Sequence, residues 1–354
     1  MMHTKFGQLI ARTVLALALV SAQDVHGVRA GQTWTMASAY PADTVSGRAV
    51  ASFAAALSRR TGGALKGATE FGFSGVEADL VEAVQDGSVQ VAGVYSGSLT
   101  HLDPIFELPT LPFEVHSVDE ARRLACLAEP AYRRALSRAG LHLLFISPWP
   151  PTGLWSRQPV MTVADIATLR IRTYDAASAE VLRALGAHAV VLPVRDVEPL
   201  LHIGGLDAVL SSGDGAVGRS LQADLSNFNA IHYAFPVSFV VVSQSRYEAL
   251  PKKHRSQLDE AAADAEREQW TSLPARIRAN YAQMQQAGVV VNTSIDAGLS
   301  VRLRKAGEAR VEKWLSRAPP EEAGIMKAFL NQGAPVAQDR CPLNMLDASH
   351  GTRG

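Results

Sequence analysis

The sequence predicts an α/β protein of two lobes, and three observations carry that prediction. From Thr33 onward, short apolar segments alternate with segments of helical periodicity, the pattern of packed helix and sheet layers. The alternation starts afresh at Pro159. A polar, Ala-rich helical stretch from Lys253 to Gln286 is long enough to pack across both halves. The 354 residues accommodate two domains at roughly 100–200 residues each. With 47% hydrophobic and 19% charged residues the composition is that of a folded globular chain with sizeable cores. Lys and Arg together number 34, as do Asp and Glu, so no excess positive field exists to draw nucleic acid.

The chain opens with Lys5 and Arg12 ahead of an apolar run from about Val14 to Ala22, with small residues at Ala22 and Ala30. Basic residues, a short apolar core and a small-residue site are the architecture of a secretory signal. Residues 1–30 are therefore read as a signal peptide, cleaved near 22 or 30. The run is too short to anchor in a bilayer, and no later segment reaches 18 uninterrupted apolar residues.

TWTMASAY is the first strand. A helix follows in which Val50, Phe53 and Leu57 share a face, stopped by Gly62-Gly63. The next strand runs from about Leu65 to Phe71, and Val76, Leu80 and Val84 mark a second helix ending at Asp86-Gly87 before the strand VQVAGVY. HLDPIFELPTLPF fits neither period and reads as a structured loop. Ser117 and Glu120 form a capping box opening a helix to about Arg138, closed by Gly140, and LHLLFI is a buried strand. In the second half LRIRT, AVVLP, DAVLSS and VSFVVVS are strands, with helices starting near Ala176, Arg195 and Gly215. Pro274 should kink or divide the long helix, and the helical region from Asp296 leaves room for dimer contacts. The boundaries implied are 31–151 plus about 237–275 for lobe I, 152–236 plus about 276–340 for lobe II, and a C-terminal tail over 341–354. Crossover strands and the long helix join the lobes.

The segments WTMASAYP, VQDGSVQVAGVYSGSL, ELPTLPF, the stretch from Trp149 to Gly186 and DAVLSSGDGAVG together resemble the solute-binding proteins of tripartite ATP-independent periplasmic (TRAP) transporters. The resemblance covers nearly the whole mature chain. It implies a two-lobed periplasmic binding fold of type II, a periplasmic location, an organic acid held in the cleft, and delivery to membrane permease subunits. A sensory protein presenting the acid to a receptor kinase would have the same cleft.

In that family an arginine ending the strand after the crossover pairs with the ligand carboxylate, and the matching residue is Arg172. A planar guanidinium offers two parallel hydrogen bonds to a carboxylate, and the carboxyl end of a strand faces the crevice of an α/β sheet. Arg170 lies on the same face two residues earlier, toward the lobe's outer end. Many members carry a second arginine about twenty residues upstream, where this chain has Thr152. A glycine common before the arginine strand is Thr168, and the acidic and amide positions of the later turn are Leu210 and Ser211. These departures point to a singly anchored carboxylate, a monocarboxylate rather than sialic acid or a C4-dicarboxylate. Tyr40, Tyr95 and Trp149 are candidate aromatic walls, and Ser211, Ser212 and Ser238 candidate hydroxyls. Asp207 is read as a turn or capping residue.

Gly213, Gly215 and Gly218 match G-x-G-x-x-G, but the next strand ends on no acid, so a tight turn is the better reading than a dinucleotide site. The histidines at 101, 116, 142, 188, 202 and 232 show no ligand-like pairing, and no G-x-S-x-G, H-E-x-x-H or P-loop appears. No catalytic group, metal or cofactor is implied. Of the two cysteines, Cys126 reads as a small buried hydrophobe, with pairing to Cys341 the alternative.

Overall fold

A computed structural model describes residues 31–73 and 77–331. The signal peptide, the Val76 helix position, Cys341 and the C-terminal tail lie outside the described residues.

Among these residues two sheets form. The first contains β1 (Gln32–Ser38), β2 (Leu65–Phe71), β3 (Val91–Tyr95), β4 (Leu141–Pro148) and β10 (Val237–Ser243), in the order β2-β1-β3-β10-β4. The second contains β5 (Gly153–Ser156), β6 (Arg170–Thr173), β7 (His188–Val191), β8 (Ala208–Ser211), β9 (Asn227–Asn229) and β11 (Val290–Asn292), in the order β11-β9-β5-β8-β6-β7. Each sheet is mixed: β10 runs antiparallel to β3 and β4, and β5 antiparallel to β8 and β9. VSFVVVS is apolar throughout because β10 is central and buried at every residue, whereas the polar β2 lies at an edge. β5, β9 and β11 carry three or four residues each, too few for a period to show.

Local chemistry explains the helix boundaries. The Thr44 hydroxyl accepts from the Gly47 N–H to open the helix Val45–Arg60, and Gly62 and Gly63 end it at φ of 59° and 81°. Val50, Phe53 and Leu57 are fully buried, as their spacing predicts. Ser117 accepts from the Glu120 N–H to cap the helix Val118–Arg138. The reciprocal half of the capping box is displaced by one residue, since Glu120 accepts from the His116 N–H instead. The structured loop contains a 3-10 helix, Pro104–Thr110, that buries Ile105, Phe106 and Leu108.

Two crossovers join the sheets, Trp149–Thr152 and residues 230–236. They run side by side, with Trp149 N–H donating to the Pro236 carbonyl (2.8 Å), Thr152 N–H to the Ala234 carbonyl (2.9 Å) and Tyr233 N–H to the Thr152 carbonyl (2.9 Å). The long helix is continuous over Lys252–Gln286 and is not divided at Pro274. Leu258, Ala261, Ala262 and Ala265 bury it in the core of the first sheet and Met284 in that of the second. Packing at both ends outweighs the roughly 3 kcal/mol that an internal proline costs.

The helices Ala297–Arg317 and Pro320–Leu330 spend their apolar faces on the same chain: Leu299 and Leu303 pack with the second sheet, and Trp314, Met326 and Phe329 with the first. Cys126 packs half-buried against the first core and is disulfide-bonded, not the free apolar thiol that its helical setting suggests; its partner lies outside the described residues.

Candidate functional site

Arg170 and Arg172 both lie on β6, and their surroundings separate them. Arg170 is exposed and forms a two-pronged pair with Asp207, at 2.8 Å from Nε to Oδ2 and 2.6 Å from Nη2 to Oδ1. That pair gives Asp207 its role, which is neither turn nor cap. Arg172 is 5% exposed. Its Nε donates to the Leu192 carbonyl (2.9 Å) and its Nη1 to the Leu210 carbonyl (3.3 Å). Among the described residues no carboxylate pairs with it and Nη2 has no acceptor. Burial pulls its pKa below the ordinary arginine value, offset by the nearby Tyr40, Tyr95, Tyr174 and Asp175. Isolated burial of a cation costs several kcal/mol, a cost that an anion placed beside it would offset.

The guanidinium faces a cavity of about 490 Å³ between the two sheets and an adjoining chamber of about 50 Å³. Tyr40, Tyr95, Arg172, Tyr174 and Ser211 line both, while Trp149, Thr152 and Ser212 line the small chamber. Tyr40 packs edge-on to Trp149 with centroids 4.8 Å apart, and Tyr95 edge-on to Tyr174 at 5.6 Å. Burial raises the pKa of all three tyrosines, which keeps them neutral donors at any physiological pH. The buried Tyr95 hydroxyl makes no hydrogen bond of good geometry to the protein. Thr152, at the position of the missing second arginine, accepts from the Tyr174 hydroxyl at 3.4 Å.

Seven of the eight residues singled out in the sequence thus come together, and Ser238 does not join them. It is fully buried in β10, and its hydroxyl accepts from the Trp149 indole N–H at 2.8 Å. It holds the Trp149 indole in place without lining either chamber.

Three residues were not anticipated. Tyr174 sits next to the strand that carries Arg172, and its adjacency was a usable signal. Glu77 lines the large cavity, where its carboxylate accepts from the Tyr95 N–H (2.9 Å) and the Ser98 hydroxyl. Burial raises its pKa, and those hydrogen bonds counter the shift. In the sequence Glu77 is one polar position near the start of a helix.

The third is Asp214, in the glycine-rich turn. Gly213 and Gly215 take φ of 64° and 59°, and a Cβ on Gly218 would lie 2.0 Å from the Gly213 carbonyl oxygen, so these glycines do make a tight turn. The turn presents Asp214, whose side chain is wholly buried, to the other lobe. It accepts from the Val45 N–H (2.7 Å), Arg276 (2.6 and 2.9 Å) and Asn280 (2.9 Å). Alongside, Asp43 accepts from the Ala216 N–H (3.1 Å) and Arg219 (2.6 Å), and Arg276 donates to the Asp43 carbonyl. The start of the first lobe's helix is thereby clasped to the second lobe at one edge of the cleft.

Residues 36–313 match the profile of the bacterial extracellular solute-binding proteins, family 7. A solute-binding protein of Chromohalobacter salexigens is 23% identical over 284 residues, which cover 78% of this chain and 83% of that one. Among solved structures, DctP7 of Bordetella pertussis, an extracytoplasmic solute receptor binding pyroglutamic acid, is 26% identical and superposes with a TM-score of 0.80. The match covers 84% of this chain and 99% of DctP7. A TRAP periplasmic solute-binding protein of Chromohalobacter salexigens with bound D-glucuronate shares the fold at 20% identity and a TM-score of 0.76, covering 84% and 99% of the two chains.

Proposed function

The chain belongs to the bacterial extracellular solute-binding proteins of family 7, and from that premise we propose that it is the periplasmic receptor of a TRAP transporter, capturing a monocarboxylate on Arg172 and handing it to membrane permease subunits. The family is one of binding proteins rather than enzymes, so the chemistry to account for is recognition.

The observation that carries this reading is the Arg172 guanidinium, buried at the junction of two cavity chambers with no carboxylate bonded to it among the described residues. Its bonds to the Leu192 and Leu210 carbonyls fix the plane and leave Nη2 open. A carboxylate entering the small chamber would supply the missing charge, and the tyrosine and threonine hydroxyls around it are neutral partners for its second oxygen. Arg172 and Arg195 line the large cavity together with Glu77 and Glu198, Arg172 alone of these reaches the small chamber, and Thr152 there is uncharged. Within the small chamber a second ligand carboxylate would find no further cation among the described residues, and toward Glu77 it would meet an acid. A ligand N–H or hydroxyl suits Glu77 better. The relatives that hold pyroglutamic acid combine one carboxylate with one amide N–H in their ligand.

Titration calorimetry against an organic-acid panel including pyroglutamate and glucuronate, repeated with Arg172→Ala, tests the assignment. Loss of the only cation from a desolvated carboxylate site costs on the order of 2–5 kcal/mol, or about 30-fold or more in Kd. An unchanged affinity in the variant would remove Arg172 from the ligand site.

A further inference from the structure

We infer that the ligand carries an apolar body considerably larger than the ring of pyroglutamate, as in an aryl-alkanoic or medium-chain monocarboxylic acid; this rests on Arg172 holding its carboxylate. The small chamber beside Arg172, about 50 Å³, takes little beyond a carboxylate and its neighbouring atoms. The cavity that opens from it holds about 490 Å³, within the roughly 300–1,000 Å³ of pockets that enclose drug-sized molecules. A five-membered lactam would leave most of that space to water.

The lining shows what would replace the water. Val191, Val194, Val197, Val217 and Leu221 turn apolar surface into the cavity from the second lobe, and Val191 is 46% exposed. The two acids of the lining already have protein partners: Glu198 accepts from Ser220 at 2.8 Å, and Glu77 holds the Tyr95 N–H and Ser98. A sugar acid would bring a ring of hydroxyls against valines, leaving them unsatisfied, whereas an apolar body would cover the valines.

The lobes already meet at one edge of this open-mouthed cavity. Asp214 and Asp43 join the lobes at the cleft edge, and Gly215 lies so near the first lobe that a Cβ there would be 2.9 Å from the Asp43 carbonyl oxygen. The lobes are in contact there, and the cavity remains.

The test is calorimetry on the full mature chain with pyroglutamate, D-glucuronate, 3-phenylpropionate and octanoate, using 3-phenylpropionamide as the uncharged control, and on Val191→Trp. The apolar acids are expected to bind at least about tenfold more tightly than pyroglutamate, since burying one further large apolar group is worth that much. The amide should not bind. Val191→Trp, which fills the cavity, should cut the ratio of 3-phenylpropionate to pyroglutamate affinity severalfold. Tighter binding of pyroglutamate or glucuronate than of either apolar acid overturns the inference and leaves the carboxylate site standing. If Arg172→Ala binds all the acids as the wild type does, or no acid binds, the carboxylate reading fails and this inference with it.

Discussion

Replacing Asp214 by alanine tests the contact that joins the lobes. The side chain is wholly buried, and its loss strips the Val45 N–H, Arg276 and Asn280 of their acceptors at once. Removing one partner of a buried ion pair costs about 3–5 kcal/mol, since the survivor is left charged and dry. Arg276 keeps its bond to the Asp43 carbonyl, so the low end, about 3 kcal/mol, applies. There is also a ceiling. If opening the cleft hydrates Arg276 for less than that, the lobes separate before either unfolds, and the loss appears as a shape change.

Urea denaturation and small-angle X-ray scattering on the unliganded protein cover both routes: a lower midpoint, or a larger radius of gyration at unchanged stability. Adding Arg276→Met to Asp214→Ala should restore much of the loss, because an apolar replacement of the whole pair removes the orphaned charge. A cost below about 1 kcal/mol with an unchanged radius would refute the reasoning, for a fully desolvated carboxylate accepting from a guanidinium cannot be that dispensable.

Burial pushes the Glu266 carboxyl up to about 8, where it accepts from the Ile146 N–H. A folded-state pKa above the unfolded value means stability falls as pH rises from about 4.5 to about 8. Glu266→Gln should therefore raise the Tm at pH 8, and the gap should close below about pH 5; equal gaps at both pH values would count against it. Thr168 stands at φ 77°, in the left-handed region that favours glycine. Thr168→Gly should stabilise by about 0.5–1 kcal/mol, strain relief exceeding the added unfolded-state entropy, read as a rise in urea midpoint. Ser238→Ala leaves the Trp149 indole N–H buried without an acceptor and should cost about 1–3 kcal/mol in the same assay.

The fold was legible where strands are long or helices periodic. β1, β3, β4 and β10 declare themselves through runs of five to eight residues that are mostly buried. β5 and β9, short and held between neighbours, and the three-residue edge strand β11 did not, since none carries an apolar run of its own. Pro274 misled for the opposite reason. A local breaker was read locally, while the two cores that clamp the helix on either side are tertiary facts.

The site divides in the same way. The place of Arg172 on the cavity wall was legible from its strand position and its neighbours in sequence, and that of Tyr174 could have been. Glu77 and Asp214 were not, since each matters through a partner far along the chain: Tyr95 for the one, and Val45 and Arg276 for the other. The two arginines of β6 show what separates them physically. They share a strand, a face and a charge, so sequence alone ranks them only by which end of the strand each occupies. In the folded chain Asp207 takes Arg170, and among the described residues no carboxylate bonds to Arg172. The cation that the protein itself neutralises ties two strands together at the surface, and the one left without a carboxylate partner among the described residues, at the wall of the cavity, is the one we propose for a ligand.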